Sequence, residues 1–315
     1  MKALVTGVAG FIGSHLSSTL LDRGVPVTGV DCFTDYYPRA IKQANLDVVL
    51  NRPGFRFVET SIQAADLSSL LDGVTHVYHL AAQAGVRRSW GTDFQIYTVN
   101  NIDATQRLLE ACVGRPLERF VHASSSSVYG DAATIPMRED ALPRPLSPYG
   151  VTKLAAEQLG HLYEANFGVP AVAMRYFTVY GPRQRPDMAF YKFIAAALRD
   201  ETITIFGDGK QTRDFTFVAD AVSATLAAGE RGVPGRAYNV GGGSRVSVND
   251  VLDLIGTVTG RRLRVEYRAE EKGDMRDTFA DTTLAQRDLG FAPTVSLAEG
   301  LAAEARWLAS TSVTA

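Results

Sequence analysis

Tyr149 and Lys153 stand four residues apart in the segment 147–153, Ser-Pro-Tyr-Gly-Val-Thr-Lys. If Tyr149 opens a helix, the two side chains lie one turn apart on a single face. An ammonium beside a phenol favours the phenolate and draws the phenol pKa toward neutrality. About two dozen residues earlier, 122–127 (His-Ala-Ser-Ser-Ser-Ser) reads as a buried strand running into four serines. A serine hydroxyl at that strand end can share the proton. The set is an acid/base device for moving a proton on and off an alcohol, and such a device needs something that takes hydride.

The acceptor is suggested at the other end of the chain. Gly7, Gly10 and Gly13 follow a short apolar strand and open an amphipathic helix with Phe11 and Ile12. Glycines let backbone approach a pyrophosphate, and a helix N-terminus offers N–H donors and a positive dipole end. The spacing is G-x-x-G-x-x-G, looser than the usual G-x-G-x-x-G, and a merely flexible turn is the plainer alternative. Asp31 ends the next strand, where a carboxylate hydrogen-bonds an adenosine ribose and repels a 2′-phosphate. NAD is therefore expected rather than NADP; an ordinary solvated acid is the alternative for Asp31. The strand end 79–85 (His-Leu-Ala-Ala-Gln-Ala-Gly) is built of small residues that let a flat cofactor lie on backbone, or that pack tightly for their own sake. Asn100 either holds the strand-end loops together or is a helix-surface residue.

Strands are expected over 2–6, 26–31, 55–59, 75–81, 119–123 and 169–175, with helices to residue 23, over 93–113 and over 149–167. This alternation predicts an α/β fold, a doubly wound parallel sheet of Rossmann type, with ligands at the carboxyl ends of its strands. Residues 1–176 form the first domain. Residues 177–315 are mainly a smaller α/β substrate-binding domain, with helices over 186–199, 247–259 and 296–309 and strands over 202–206 and 262–267. Residues 214–240 look sheet-like and return to the first domain. The tail after Trp307 is expected to fray.

The chain has 315 residues, 46% hydrophobic and 21% charged, with a formal net charge of −2. It can bury a sizeable core, and nothing in it suits a nucleic-acid or membrane-surface partner. Cys32 and Cys112 sit in apolar sequence and read as buried free thiols in a reducing compartment. A strand begins at once, no signal peptide precedes it, and no apolar run reaches membrane-spanning length, so a cytoplasmic protein is expected. His76, His122 and His161 show no ligand spacing, and no metal is expected. Arg185, Arg213 and Arg276 stand in loops beside acids and glycines. They suit an anionic substrate, where a guanidinium fork takes two oxygens, or they simply pair with Asp187, Asp214 and Asp277.

Together the glycine turn, Asp31, the HLAAQAGV strand end, SSSSVYGD and SPYGVTK resemble the extended short-chain dehydrogenase/reductase superfamily, in particular its nucleotide-sugar epimerases and dehydratases. The later segments RYFTVYGPRQRPDMA, FGDGKQTRDFTFVAD, AYNVGGG and KGDMRDTFAD match too, so the likeness runs nearly the whole length. Within that group it is nearest the UDP-glucuronate 4-epimerases.

The resemblance implies NAD on the first domain, a UDP-sugar held by the second, and a homodimer formed through helices 93–113 and 149–167. It implies Tyr149 as base, Lys153 as its partner and Ser125, four residues before the tyrosine of VYG, as the catalytic hydroxyl. It implies cofactor contacts from Gly7, Gly10, Phe11, Ile12, Gly13, Asp31, Leu80, Ala81, Ala82, Gln83, Asn100 and Tyr176. Substrate contacts fall on Val86, Arg87, Ser126, Ser127, Thr178, Arg185 and Phe206 (near the uracil), with Arg213 and Arg276 on the diphosphate. One departure is Ser61-Ile62, where the superfamily often has an acid by the adenine amine; weaker adenine contact is expected.

Related dehydratases carry an acidic pair just after the catalytic hydroxyl residue, and uronate decarboxylases a glutamate. Ser126 and Ser127 stand there instead, which leaves C4 epimerisation of UDP-glucuronate to UDP-galacturonate through a transient 4-keto sugar, with no net redox. UDP-glucose/UDP-galactose 4-epimerisation, UDP-uronate decarboxylation and a non-catalytic NAD-binding sensor remain the alternatives.

Overall fold

The computed structural model describes residues 1–131, 134–269 and 275–311. The N-terminal apolar run becomes β1 (Ala3–Thr6), whose four residues are all buried. The glycine turn leads into α1 (Phe11–Asp22), which buries Leu16 and Leu20. Then come β2 (Val27–Asp31), α2 (Arg39–Leu50), β3 (Phe55–Glu59), β4 (His76–His79), β5 (Arg119–Ser125) and β6 (Ala171–Tyr176).

These strands and a late one, Ala237–Val240, form a seven-stranded parallel sheet in the order Ala237–Val240, β6, β5, β4, β1, β2, β3. The direction of winding reverses beside β1, and a crevice opens there at the carboxyl ends of the strands. One face is covered by α1 and the helix Val218–Arg231, the other by the helices Ala104–Cys112 and Pro148–Phe167. Each fully buried Leu, Val or Phe in these layers contributes about 1.5–3 kcal/mol. A smaller lobe packs the helices Ala189–Leu198, Val248–Thr259 and Leu297–Ser310 around Phe190, Ile194, Val251, Ile255 and Leu301. Its parallel pair Thr202–Phe206 and Arg264–Arg268 forms a separate two-stranded sheet.

The structure departs from the sequence reading at five places. Residues 214–240 are not mainly sheet: the alanine-rich Val218–Arg231 is a helix between Thr216–Phe217 and Ala237–Val240. Only the last of these strands joins the main sheet, on β6. The helix expected over 93–113 is interrupted by a π-helical stretch, Thr98–Asp103, between Phe94–Tyr97 and Ala104–Cys112. Helix α2 went unseen in a segment of mixed polarity. The last helix continues past Trp307 to Ser310, leaving 312–315 outside the described residues. Cys32 is exposed rather than buried, because it follows the end of β2 and opens into the crevice, while Cys112 is buried; both are free. No described helix is long and apolar enough to cross a membrane.

Candidate active site

Helix Pro148–Phe167 starts where its sequence says it should. Ser147 caps it, its hydroxyl accepting the Gly150 N–H at 3.1 Å, and Pro148 occupies the first helical position. Gly168, at φ 68°, ends it in the left-handed conformation. Tyr149 therefore falls in the first turn and Lys153 in the second, on the same side. Tyr97 packs edge-on against Tyr149, ring centroids 6.3 Å apart. The Lys153 ammonium, 6% exposed, donates to the carbonyl of Ala123 on β5 at 2.9 Å. β5 carries Ser125 to the same point; its hydroxyl accepts the Ser127 N–H at 3.1 Å and acts on the Tyr149 phenol.

The electrostatics differ from expectation. Burial pushes the Tyr149 phenol above its ordinary value, against opposing effects of Arg185 and the Ser125 hydrogen bond. Arg185 is a cation that bears on the phenol. Burial, assisted by Arg185, pulls Lys153 down to about 8. Behind the pair, Glu157 continues the helix face, accepting the Ser124 hydroxyl at 2.6 Å and two Arg175 bonds at 2.5 and 3.0 Å.

At the cofactor end, the three glycines enclose a cradle that side chains would fill. A Cβ on Gly13 would stand 2.2 Å from the Gly7 carbonyl oxygen, and one on Gly7, at φ +73°, would stand 2.8 Å from the Ala81 nitrogen. No side chain caps the N-terminus of α1, whose first residues face the crevice. The Asp31 carboxylate accepts N–H bonds from Ala9 (3.0 Å) and Phe33 (2.9 Å), and burial raises its pKa. An open anion-binding helix end, a glycine floor and an acid on the next strand fit a dinucleotide with an unphosphorylated ribose.

One cavity of about 850 Å³ joins the two ends. Its walls include Gly7, Gly10, Phe11, Ile12, Gly13, Asp31, Ser61, Ile62, Leu80, Ala81, Ala82, Gln83, Asn100, Tyr149, Lys153 and Tyr176. They also include Val86, Arg87, Ser125, Ser126, Ser127, Thr178, Arg185, Phe206 and Arg213. The Arg87 guanidinium lies over the Phe206 ring, 4.6 Å from its centroid. Arg276 is the exception: its side chain is exposed and off the cavity wall, while its carbonyl accepts Arg213 Nη1 at 2.8 Å. Lys272, Gly273 and Asp274 of the same segment lie outside the described residues. Of the three suggested Arg–Asp pairs, the ion pair at Arg185–Asp187 forms, and Asp277 pairs with Arg245 instead of Arg276.

The residue tying the strand-end loops together is Asn101, not Asn100. Its side chain exchanges hydrogen bonds with the Gln83 N–H (2.7 Å) and carbonyl (3.0 Å) and donates to Thr152 (3.0 Å). Asn101 is the buried residue of the π stretch, and Asn100, though on the cavity wall, donates to its own helix at Ile96. Sequence reasoning also missed Tyr36, Lys42, Asp187 and Lys192 on the wall. Tyr36 and Lys42 follow Asp31 closely, which was a usable signal; Asp187 and Lys192 had none beyond their closeness to Arg185. Among the described residues, no three His, Cys, Asp or Glu side chains are grouped to hold a metal.

A parallel sheet with a dinucleotide cradle at its reversal point, and a Ser/Tyr/Lys set one cavity-length away, defines the Rossmann-fold enzymes that oxidise or reduce at an alcohol carbon. Within that class the chain belongs to the NAD dependent epimerase/dehydratase family, whose pattern matches residues 3–241. It is similar over 98% of its length to a UDP-glucuronic acid 4-epimerase from Bacillus cereus, solved with UDP-glucuronic acid and NAD (47% identity, TM-score 0.95, 99% of that chain). A Bacillus subtilis relative described as an uncharacterised UDP-glucose epimerase is 46% identical, over 98% of each chain. The UDP-glucuronate 4-epimerase of Thermodesulfobacterium geofontis is 37% identical, over 96% of this chain and 95% of that one.

Proposed function

We propose that the protein is an NAD-dependent isomerase that inverts C4 of UDP-glucuronate to give UDP-galacturonate. One observation carries the choice of reaction. The carboxylates on the described cavity wall are Asp31, at the ribose end, and Asp187, already bonded to Arg185 and Tyr36. Among the described residues of that wall, no acid stands beside Ser125 to drive elimination or to protonate a carbanion.

Bound NAD supplies the acceptor that takes hydride from C4 and returns it. Tyr149 removes the 4-hydroxyl proton and later gives it back. The Ser125 hydroxyl bonds the same oxygen and stabilises the ketone between the two steps. Lys153, anchored on the Ala123 carbonyl, holds the nicotinamide ribose. Arg213 keeps the diphosphate fixed, with the Arg276 carbonyl bracing it from behind, while the hexose turns over in the cavity. Ser126, Ser127, Thr178 and Arg185 grip the C6 carboxylate so that its bond to C5 stays out of line with the ketone π system.

The first 176 residues, with the returning strand Ala237–Val240, hold the cofactor and the remainder holds the nucleotide sugar. Phe94, Ile96, Val99, Val151, Leu162 and Phe167 are exposed on the two helical regions flanking the acid/base site, which supports pairing of two copies there. A cytoplasmic location is supported by two unpaired thiols.

A second reading, UDP-glucose 4-epimerase, is favoured by the near-neutral Arg185–Asp187 pair. Incubation with UDP-glucuronate and with UDP-glucose, followed by chromatography, decides. A faster 4-epimer from UDP-glucuronate without UDP-pentose supports the proposal; UDP-pentose as the main product, or turnover of UDP-glucose alone, overturns it.

A further inference from the structure

Arg185 is not a bare charge at the cavity wall. Its Nε and Nη2 bond the two oxygens of Asp187 at 2.9 and 3.2 Å, the bidentate arrangement that fixes the plane of a guanidinium. Asp187 takes a third bond from the Tyr36 hydroxyl at 3.1 Å, across 151 positions of sequence. Tyr36 sits on the loop that follows Asp31. Its ring lies near two guanidinium carbons, 5.2 Å from that of Arg88 and 6.0 Å from that of Arg185. Beneath it is Gly85, at φ +104°, where a Cβ would stand 2.2 Å from the Tyr36 hydroxyl oxygen. The phenol reaches Asp187 only because that position has no side chain. Tyr36, Asp187 and Arg185 all face the cavity that contains Tyr149.

The bonding has a direction. The Nε–Nη2 edge of Arg185 is turned to Asp187, leaving Nη1 as its remaining nitrogen. The positive charge of Arg185 acts on both Tyr149 and Lys153.

We propose that Tyr36 and Asp187 are positioning residues that aim Arg185 at the carboxylate of a uronate substrate and thereby keep the 4-keto intermediate from losing carbon dioxide. The proposal rests on the uronate reading above. The failure it prevents is defined. The C5–C6 bond breaks and its electron pair passes into the enolate of the C4 ketone. Carbon dioxide leaves, and C5 takes a proton from water. The hydride removed from C4 stays on the cofactor or returns to give a UDP-pentose. A guanidinium held in one plane resists the rotation that brings the C5–C6 bond into line with the ketone; a loose one does not.

The experiment measures the ratio of 4-epimer to decarboxylated products formed from UDP-glucuronate by the wild-type protein, Asp187→Asn, Tyr36→Phe, Asp187→Glu and the double variant Tyr36→Phe/Asp187→Asn. The NAD content of each purified protein checks folding. Loss of a charge-assisted bond corresponds to about 10- to 100-fold, so the ratio should fall by that much in Asp187→Asn and by less in Tyr36→Phe. Asp187→Glu should restore part of it. The double variant should match Asp187→Asn, since Tyr36 acts through Asp187. A uniform loss of rate with an unchanged product ratio would mark a merely structural role and overturn the inference. If the wild-type protein does not epimerise UDP-glucuronate, it is the functional reading that falls instead.

Discussion

Glu157→Ala is predicted to cost about 3–5 kcal/mol of folding stability, because it orphans a buried cation. The Glu157 and Arg175 side chains are 7% and 5% exposed. The substitution removes both Arg175 bonds and the one from Ser124, and leaves Arg175 with the Tyr129 hydroxyl at 2.7 Å and the Glu139 carbonyl at 3.1 Å. Of these two residues only Glu139 carries a charge, and its carboxylate is bonded to the Asn239 N–H rather than to the guanidinium. Against a total of about 5–15 kcal/mol for a folded domain, that is a fifth or more of the margin. Glu157→Gln keeps the size and one acceptor but turns an N–H₂ toward the guanidinium, so it should cost about 1–3 kcal/mol. Replacing both partners with methionine should cost less than Glu157→Ala alone, as no charge is then stranded. Denaturant unfolding at neutral pH measures all three. Burial raises the Glu157 pKa but the Arg175 bonds outweigh it, and the net value is lowered. Its contribution is thus complete above the unfolded carboxyl range and is lost as pH falls below it. If Glu157→Ala costs under about 1 kcal/mol, or the two single losses simply add in the double variant, the account of this network is wrong.

Tyr149→Phe should lower kcat by about 10²- to 10⁴-fold while the purified protein keeps its NAD, read by steady-state assay and cofactor extraction. Lys153, held at about 8 against an ordinary value of 10.5, binds its proton less tightly folded than unfolded. Cofactor-free stability should therefore rise with pH between those values, by about 3–4 kcal/mol from this group, and Lys153→Met should abolish that rise in denaturation curves taken across the range. Gly13→Ala places a methyl 2.2 Å from the Gly7 carbonyl oxygen, so NAD content should fall several-fold; full occupancy would refute the cradle.

Much of the cofactor half was legible because its signals are local. The β1–turn–α1 unit, the acid ending β2 and the Ser147-Pro148 helix start each declare themselves within a few residues. Val218–Arg231 was not, since the Phe-Thr-Phe-Val run before it favours strand and only the alanines that follow favour helix. Asn101 was missed although it stands four residues from both Tyr97 and Thr105, on the buried face of an ordinary helix. The bonds from Tyr36 to Asp187 and from Ser124 to Glu157 join residues 151 and 33 positions apart, and side-chain meetings at that range have no local trace. Arg276 was placed by its loop setting and by likeness, and in this structure it is its carbonyl that meets Arg213.

The π stretch Thr98–Asp103 has a consequence for how this chain can vary. A π turn takes up one residue more than an α turn, and each residue of a helix is worth about 100° of rotation. The segments on either side are aligned in space, with Tyr97 inward before the stretch and Ala104, Thr105 and Leu108 inward after it. Removing a single residue from 98–103 would let the helix run on unbroken and swing everything upstream by that angle. Tyr97 would leave Tyr149, and Asn101 would leave Gln83. The surrounding loops can absorb insertions and deletions; here the residue count itself is held by the geometry, as the tooth count of a gear is held by the wheel it meshes with.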